Sequence, residues 1–373
     1  MKILFVINKL NIGGPQKVVA FLANKLVEDG HDVYILAYSK SETNIYIDNR
    51  VSIINIGYEA EKKNQLSYII KRFNQIPLLF KLRKHTKIIN PDIVCVFTIS
   101  VLRMVQTALI GLNYNIVSSE RGNPFVYSHS FRYKVKKIYN KCKLVVFQTK
   151  KAMDLFELNN AKVIPNPAVL RNTTNGCKKS GLHNLILSAG RLEEEKGFDM
   201  LISCIKDVSK SVDCHLRIYG TGSLEMTLRK QIEDYNLGDK VELPGDDSRF
   251  FEKNSDAVLY VLSSFTEGMP NVLIEAMMYG IPCLATDCTS GGPRFLLGDG
   301  KSGYLVEVAN KEQMTKMIKY ILTHQNEAFE KAKQAKSILK MLEPDRIYKM
   351  WLESFSHITS NLCLVTYNLK LVS

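Results

Sequence analysis

Two glutamates, Glu267 and Glu275, are separated by seven residues in "FTEGMPNVLIEAMMYGIPCLATD" (265–287). The short run "AVLYVLSS" (257–264) predicts a strand, "FTEGMP" a loop, and Asn271 to Tyr279 a helix stopped by Gly280 and Pro282. That places Glu267 on the loop and Glu275 in the second helical turn. Every other residue from Val272 to Met278 is apolar or small, so the helix is expected to be buried around most of its circumference and to carry Glu275 inward. A carboxylate in that setting costs several kcal/mol unless hydrogen-bonded. A pair of ligand hydroxyls, backbone donors or a cation such as Arg294 would each supply the bonds. The turn Gly268, Met269, Pro270, Asn271 opens the helix, where amide dipoles attract anions and Gly268 removes a side chain from the approach.

Cations for such an anion are at hand. "GRLEEEKG" (190–197) follows an apolar run and carries Arg191, able to clamp a phosphate bidentately, and Lys196, a point charge. "YGTGS" (219–223), with Gly220 and Gly222, and "NIGGPQ" (11–16), with Gly13 and Gly14, are further glycine turns after strands. Neither is a G-x-G-x-x-G or a G-x-x-x-x-G-K-[ST] sequence, which counts against nicotinamide cofactors and P-loop hydrolysis. No Asp-x-Asp pair is present to hold a divalent metal on a diphosphate, so neither metal nor cofactor is expected and the positive charge must come from side chains.

These loops need strands and helices to position them. At 373 residues the chain suggests two domains. Short apolar runs alternate with helical patterns throughout, the mark of βαβ units and parallel sheets. One set opens with "KILFVI", turns, and enters a helix from Pro15 to Asp29 before "DVYILA"; another opens with "HNLILSAG". "VIPNPAVLRNTTNGCKKSG" (163–181) lacks periodicity and reads as the linker. The span 93–119 is apolar and long enough for a bilayer, but Arg103, Gly111 and its β-branched ends divide it into strand, helix and strand. "DRIYKMWLESF" (345–355) predicts a helix whose aromatic residues need a surface to cover, followed by an apolar, β-prone tail without an assignment.

The eight cysteines are scattered without metal-ligand spacing, and "MKILFVINKL" lacks the pattern of a signal peptide, so a reducing cytosol is expected. Charge is uneven: residues 1–170 hold 25 Lys/Arg against 11 Asp/Glu, and 171–373 hold 25 against 26. In 62–87 and 131–143 the bases alternate with aromatic and aliphatic residues. Such segments suit an anionic membrane surface, although solvated helix faces give the same pattern. Nucleic acid is not expected, for no base-reading motif accompanies the charge.

Taken together, "GRLEEEKGFDMLI", "YGTGS", "VELPG" (241–245), "SSFTEGMPNVLIEAMMYGIPCLATD" and "SGYLVEV", in this order, closely resemble the C-terminal domain of glycosyltransferase family 4, retaining enzymes of the GT-B fold. "NIGGPQKVV" and "SSERGNP" (118–124) look like loops of its first domain. The resemblance implies two α/β, Rossmann-like domains facing across a cleft: 1–165 for the acceptor, a linker at 166–181 acting as hinge, 182–343 for a nucleotide-sugar, and a helix at 344–358 returning to the first domain, with 359–373 unassigned. It implies that Glu275 binds ribose hydroxyls, Glu267 lies near the donor sugar, and Arg191 and Lys196 meet the diphosphate. Gly13, Gly14, Gly220, Gly222, Gly268, Met269, Pro270 and Asn271 would line the donor, with Pro244 and Gly245 against the base. On the acceptor side it points to Glu120 and Arg121; the loop "TISVLRM" lacks the family's histidine, for which His129 is either a substitute or an unrelated surface histidine.

The activity so implied is metal-free, retaining, front-face transfer of a sugar from a nucleoside diphosphate, UDP by family frequency, to a glycan hydroxyl. The basic first domain favours a lipid-linked glycan at the inner membrane face, as in O-antigen, capsule or exopolysaccharide assembly. A sugar-nucleotide 2-epimerase of the same fold and a non-catalytic nucleotide-sugar-binding partner protein are the alternatives.

Overall fold

The computed structural model describes residues 1–10, 13–39, 45–58, 76–169 and 180–370, with side chains up to residue 360. The sequence readings that fall on 11–12, 62–75 and 170–179, most of the linker included, lie outside the described residues. The chain divides into two compact units, Met1–Pro165 with Asp345–Ser373, and Asn166–Pro344.

In the first unit β1 (Lys2–Ile7), α1 (Gly14–Glu28), β2 (Asp32–Ser39) and β3 (Ser52–Tyr58) are followed by α2 (Ile76–Ile89), β4 (Ile93–Val96), α3 (Ile99–Ala108) and β5 (Asn115–Ser119). Then come α4 (His129–Tyr139), β6 (Leu144–Phe147), α5 (Lys150–Asp154) and β7 (Ala161–Val163). Among the described residues the strands form one parallel sheet in the order β3-β2-β1-β4-β5-β6-β7. The apolar span at 93–119 is therefore strand, helix and strand. Alternate residues of each central strand enter two different cores. Ile3, Phe5 and Cys95 face α1, whereas Leu4, Val6, Val94 and Val96 face α2, α3 and α4.

The second unit runs β8 (Leu185–Ala189), α6 (Phe198–Val208), β9 (His215–Tyr219), α7 (Glu225–Asp234), β10 (Val241–Gly245), α8 (Phe250–Lys253) and β11 (Leu259–Leu262). It continues with α9 (Asn271–Met278), β12 (Cys283–Thr286), α10 (Gly292–Leu296), β13 (Tyr304–Val306), α11 (Lys311–Thr323), α12 (Gln325–Lys333) and α13 (Ala335–Met341). Its parallel sheet has the order β10-β9-β8-β11-β12-β13. Both sheets reverse strand order once, between β1 and β4 and between β8 and β11. In such sheets the loops at the carboxyl ends beside the reversal form the ligand crevice.

The last helix, α14 (Pro344–Lys370), contributes Ile347, Trp351 and Phe355 to the core on the α1 side of the first sheet. Trp351 is fully buried and stacks on Phe97 with ring centroids 5.9 Å apart. The aromatic residues of 345–355 thus find the surface they need. The tail beyond residue 358, which the sequence left without an assignment, continues the helix to Lys370. From Asp345 onward no Gly or Pro interrupts the chain, and an established helix adds residues more readily than a new element nucleates.

Candidate functional site

In the second unit the glycine turns act as spacers that bring successive loops into backbone contact. Gly220 sits at φ +137°, and a Cβ there would lie 1.9 Å from the Gly190 carbonyl oxygen. Only glycine fits both the dihedral and the space. Next to it, the Leu192 amide donates to the Thr221 carbonyl, and the Gly220 amide to the Gly245 carbonyl, each at 2.9 Å. Gly222 likewise lies against the backbone of Leu192. Gly190–Gly197, Gly220, Gly222, Pro244 and Gly245 thereby share one edge, the carboxyl ends of β8, β9 and β10.

The loops after β8 and β11 meet at the strand-order reversal. Lys196 Nζ lies 2.6 Å from Glu267 Oε1, with the two side chains 18% and 13% exposed. The same oxygen accepts the Ser264 hydroxyl at 2.8 Å, and Ser263 Oγ donates to the Lys196 carbonyl at 2.8 Å. The buried Tyr260 hydroxyl is pushed well above its ordinary range by burial and then by the Glu267 carboxylate. Arg191 takes a different direction. It is exposed and pairs with Glu195 at 2.5 Å.

The helix α9 begins where expected, but Glu275 is partly exposed rather than buried. Leu273, Ile274, Ala276 and Met277 face the core, while Asn271, Glu275, Met278 and Tyr279 share a partly exposed face. The spacing of four, seven and eight residues is that of one helix face. Solvent therefore reduces the burial cost assigned to Glu275. Arg294, considered as its partner, is held by Asp287 at 2.5 Å and Asp299 at 3.6 Å.

The turn leading into α9 is fixed from both sides. Gly268 and Gly292 pack backbone to backbone, and Ser290 Oγ donates to the Gly268 carbonyl at 3.0 Å. On the other side Asn166, 2% exposed, donates through Nδ2 to the Met269 carbonyl at 3.0 Å and to Asn271 Oδ1 at 2.6 Å. Sequence reasoning treated Asn166 as linker. Its place in "IPNP", between two prolines that present its side chain from an extended backbone, was the available signal.

In the first unit Gly13, with extended backbone, precedes α1, which starts at Gly14. Both stand after β1, beside that sheet's reversal. Glu120, after β5, is buried and accepts from Tyr127 Oη at 2.9 Å and Tyr139 Oη at 2.7 Å on one oxygen, and from the Gly122 amide at 2.9 Å on the other. Burial and the Glu120 charge raise both tyrosines. This glutamate anchors its loop. Arg121 is buried over the rings of Phe97 and Trp351, at 5.4 and 5.5 Å, and burial lowers its pKa to about 10. His129 is the exposed first residue of α4. Among the described residues no cluster of His, Cys, Asp and Glu could hold a metal ion.

Residues 12–170 match the family described as Glycosyltransferase Family 4, and residues 177–338 match Glycosyl transferases group 1. The chain belongs to the glycosyltransferases that join these two domains, and its two parallel sheets have the GT-B fold. It is 26% identical over 364 residues to the Campylobacter jejuni GalNAc-alpha-(1->4)-GalNAc-alpha-(1->3)-diNAcBac-PP-undecaprenol alpha-1,4-N-acetyl-D-galactosaminyltransferase, covering 96% of this chain and 99% of that one. It is also 26% identical to the amylovoran biosynthesis glycosyltransferase AmsD of Erwinia amylovora, over 94% and 98% of the two chains. Among solved structures, Anabaena HepE in complex with UDP is similar with a TM-score of 0.73 and 17% identity, over 96% of this chain and 100% of that one. The domain matches and these relatives favour the transferase over the epimerase and the non-catalytic alternatives.

Proposed function

We propose that this glycosyltransferase moves a sugar from UDP to a hydroxyl of a lipid-linked glycan during assembly of a bacterial surface polysaccharide, with retention at the anomeric carbon. The observation that carries the reading is the Lys196–Glu267 pair at the strand-order reversal, with the partly exposed face of α9 that carries Glu275 following on the same loop. In this reading Glu275 takes the ribose hydroxyls, and the turn Gly268–Asn271 offers amides to the phosphate or sugar. Lys196, with Arg191 swung from Glu195, meets the diphosphate. As the leaving group gains charge, these cations stabilise the transition state more than the ground state. Glu267 holds Lys196 in place and lies near the donor sugar. The acceptor hydroxyl attacks from the face the diphosphate leaves, without a carboxylate nucleophile and without a metal. The names of the Campylobacter and Erwinia relatives support the acceptor and pathway class, and the UDP complex of HepE supports the nucleotide.

The test is a panel of UDP- and GDP-sugars read by thermal shift, followed by transfer in chelator to a polyprenyl-diphosphate glycan and assignment of the product anomer. Stabilisation by one UDP-sugar and a retained anomer support the reading. An inverted product, a trapped sugar adduct on a side chain, or activity abolished by chelator contradicts it.

A further inference from the structure

The two cations of the loop after β8 are held in different ways. Lys196 is mostly buried, and its partner Glu267 stands on another loop. Arg191 is paired within its own loop: Nη2 lies 2.5 Å from Glu195 Oε1, four residues on, and the arginine side chain is 72% exposed. The acids beside it are the fixed parts. The Glu195 carbonyl accepts the Phe265 amide at 2.8 Å. The two residues that follow are pinned as well, since the Lys196 carbonyl accepts Ser263 Oγ at 2.8 Å and Gly197, at φ +61°, packs on the Ser263 carbonyl. On the other side, Glu193 accepts the Ser223 hydroxyl at 2.7 Å and the Ser223 amide at 3.1 Å. Those two bonds, with the Arg191 charge as a smaller cause, hold the Glu193 carboxyl below its ordinary value. A solvent-exposed cation thus has two acids beside it, each fixed by the loop of another strand.

An exposed pair of this kind is weak, and a diphosphate offers a guanidinium more charge and a better bidentate fit than one carboxylate does. Arg191 is therefore the cation that can move, whereas Lys196 is set in place. In the function proposed above Arg191 leaves Glu195 to meet the diphosphate, so each binding event breaks the pair and each departure restores it. We infer that Glu195 is a positioning residue that competes with the diphosphate for Arg191 and so promotes release of the nucleoside diphosphate after transfer. This rests on the proposed donor site. The chemistry gives the competition a purpose. Cations that stabilise a leaving diphosphate also retain it as product, and the product carries more negative charge than the donor did. A carboxylate that recaptures one of those cations offsets the retention without touching the ligand. The apparent affinity falls in proportion to the time Arg191 spends away from Glu195, and an exposed pair sets that reduction at about two- to sixfold.

The experiment is calorimetric titration of UDP into the full chain and into Glu195→Gln, Arg191→Gln, the double variant, and Glu194→Gln. Glu194 is an exposed acid on the same turn, so its substitution removes the same charge from the same loop. Glu195→Gln is expected to bind UDP about two- to sixfold more tightly than the parent, with an unchanged melting temperature and product inhibition by UDP stronger by the same factor. A merely structural residue would give the opposite sign, since damage to the loop weakens binding. Glu194→Gln should bind as the parent does, and in the Arg191→Gln background the gain from Glu195→Gln should vanish. Unchanged or weaker UDP binding by Glu195→Gln overturns the inference. An equal gain from Glu194→Gln, or a gain that persists without Arg191, overturns it too, because the effect would then be the general field of the loop. A parent that binds no UDP defeats the proposed donor and this inference together. A parent that binds UDP while Glu195→Gln behaves identically defeats the inference alone.

Discussion

Removing the Lys196 charge by Lys196→Met should destabilise the second unit and disable it at once. Lys196 Nζ and Glu267 Oε1 are 2.6 Å apart, with both side chains mostly buried. At an effective dielectric of about 20 their attraction is about 6 kcal/mol, offset by a desolvation penalty of several kcal/mol per ion, so the intact pair contributes little net stability. Breaking it is different. Methionine leaves Glu267 its bond from the Ser264 hydroxyl but no cation, and an uncompensated, mostly buried charge costs about 2–3 kcal/mol. For a unit of this size that is a fall of about 4–10 °C in Tm. Glu267→Gln should cost a similar amount. The double variant should cost less than the sum, with a coupling of about 1–3 kcal/mol. Calorimetry is the assay, because the single tryptophan, Trp351, lies in the first unit and its fluorescence does not report on this one. Loss of the cation should also lower kcat/KM about 10²–10³-fold. Single variants with unchanged Tm, or strictly additive losses, would refute the reasoning about the pair. Unchanged kcat/KM would refute its role.

Gly220→Ala should destabilise the second unit by more than about 2 kcal/mol, because its Cβ meets the Gly190 carbonyl at a dihedral side chains avoid, whereas Gly238→Ala, with open space around it, should change thermal stability little. Equal Tm shifts for the two would contradict the spacer role of Gly220. Asn166→Ala removes the Nδ2 bonds to the Met269 carbonyl and Asn271, and should cost about 1–3 kcal/mol while raising KM for the donor and leaving KM for the acceptor unchanged. A change confined to stability would make Asn166 a structural residue only.

The division of 93–119 into strand, helix and strand was legible because Arg103, Gly111 and the β-branched ends are local signals. The start of α9 was legible for the same reason, from Pro270 before it and Gly280 after it. Glu275 shows the limit. Its apolar neighbours suggested burial, but which stripe of a short helix faces solvent depends on the packing of other elements, here α13 and α10 among them. The Lys196–Glu267 pair joins residues 71 positions apart, and sequence does not state how far the loops after β8 and β11 lean together. Nor did it reveal the two tyrosines on Glu120, since Tyr127 and Tyr139 reach that carboxylate only once α4 is packed. The tail beyond residue 358 received no assignment because its β-prone composition gave no clear signal, and continuation of an existing helix decides its form up to Lys370.

The most direct test of the account is calorimetric titration of UDP into the parent and into Glu275→Gln. The account predicts binding by the parent and an affinity lower by about tenfold or more in the variant, as expected when a charged acceptor of ligand hydroxyls becomes neutral. Thermal stability should stay close to that of the parent, because Glu275 is partly exposed. Equal UDP affinity in a normally folded variant would contradict the proposal that Glu275 on α9 receives the nucleotide.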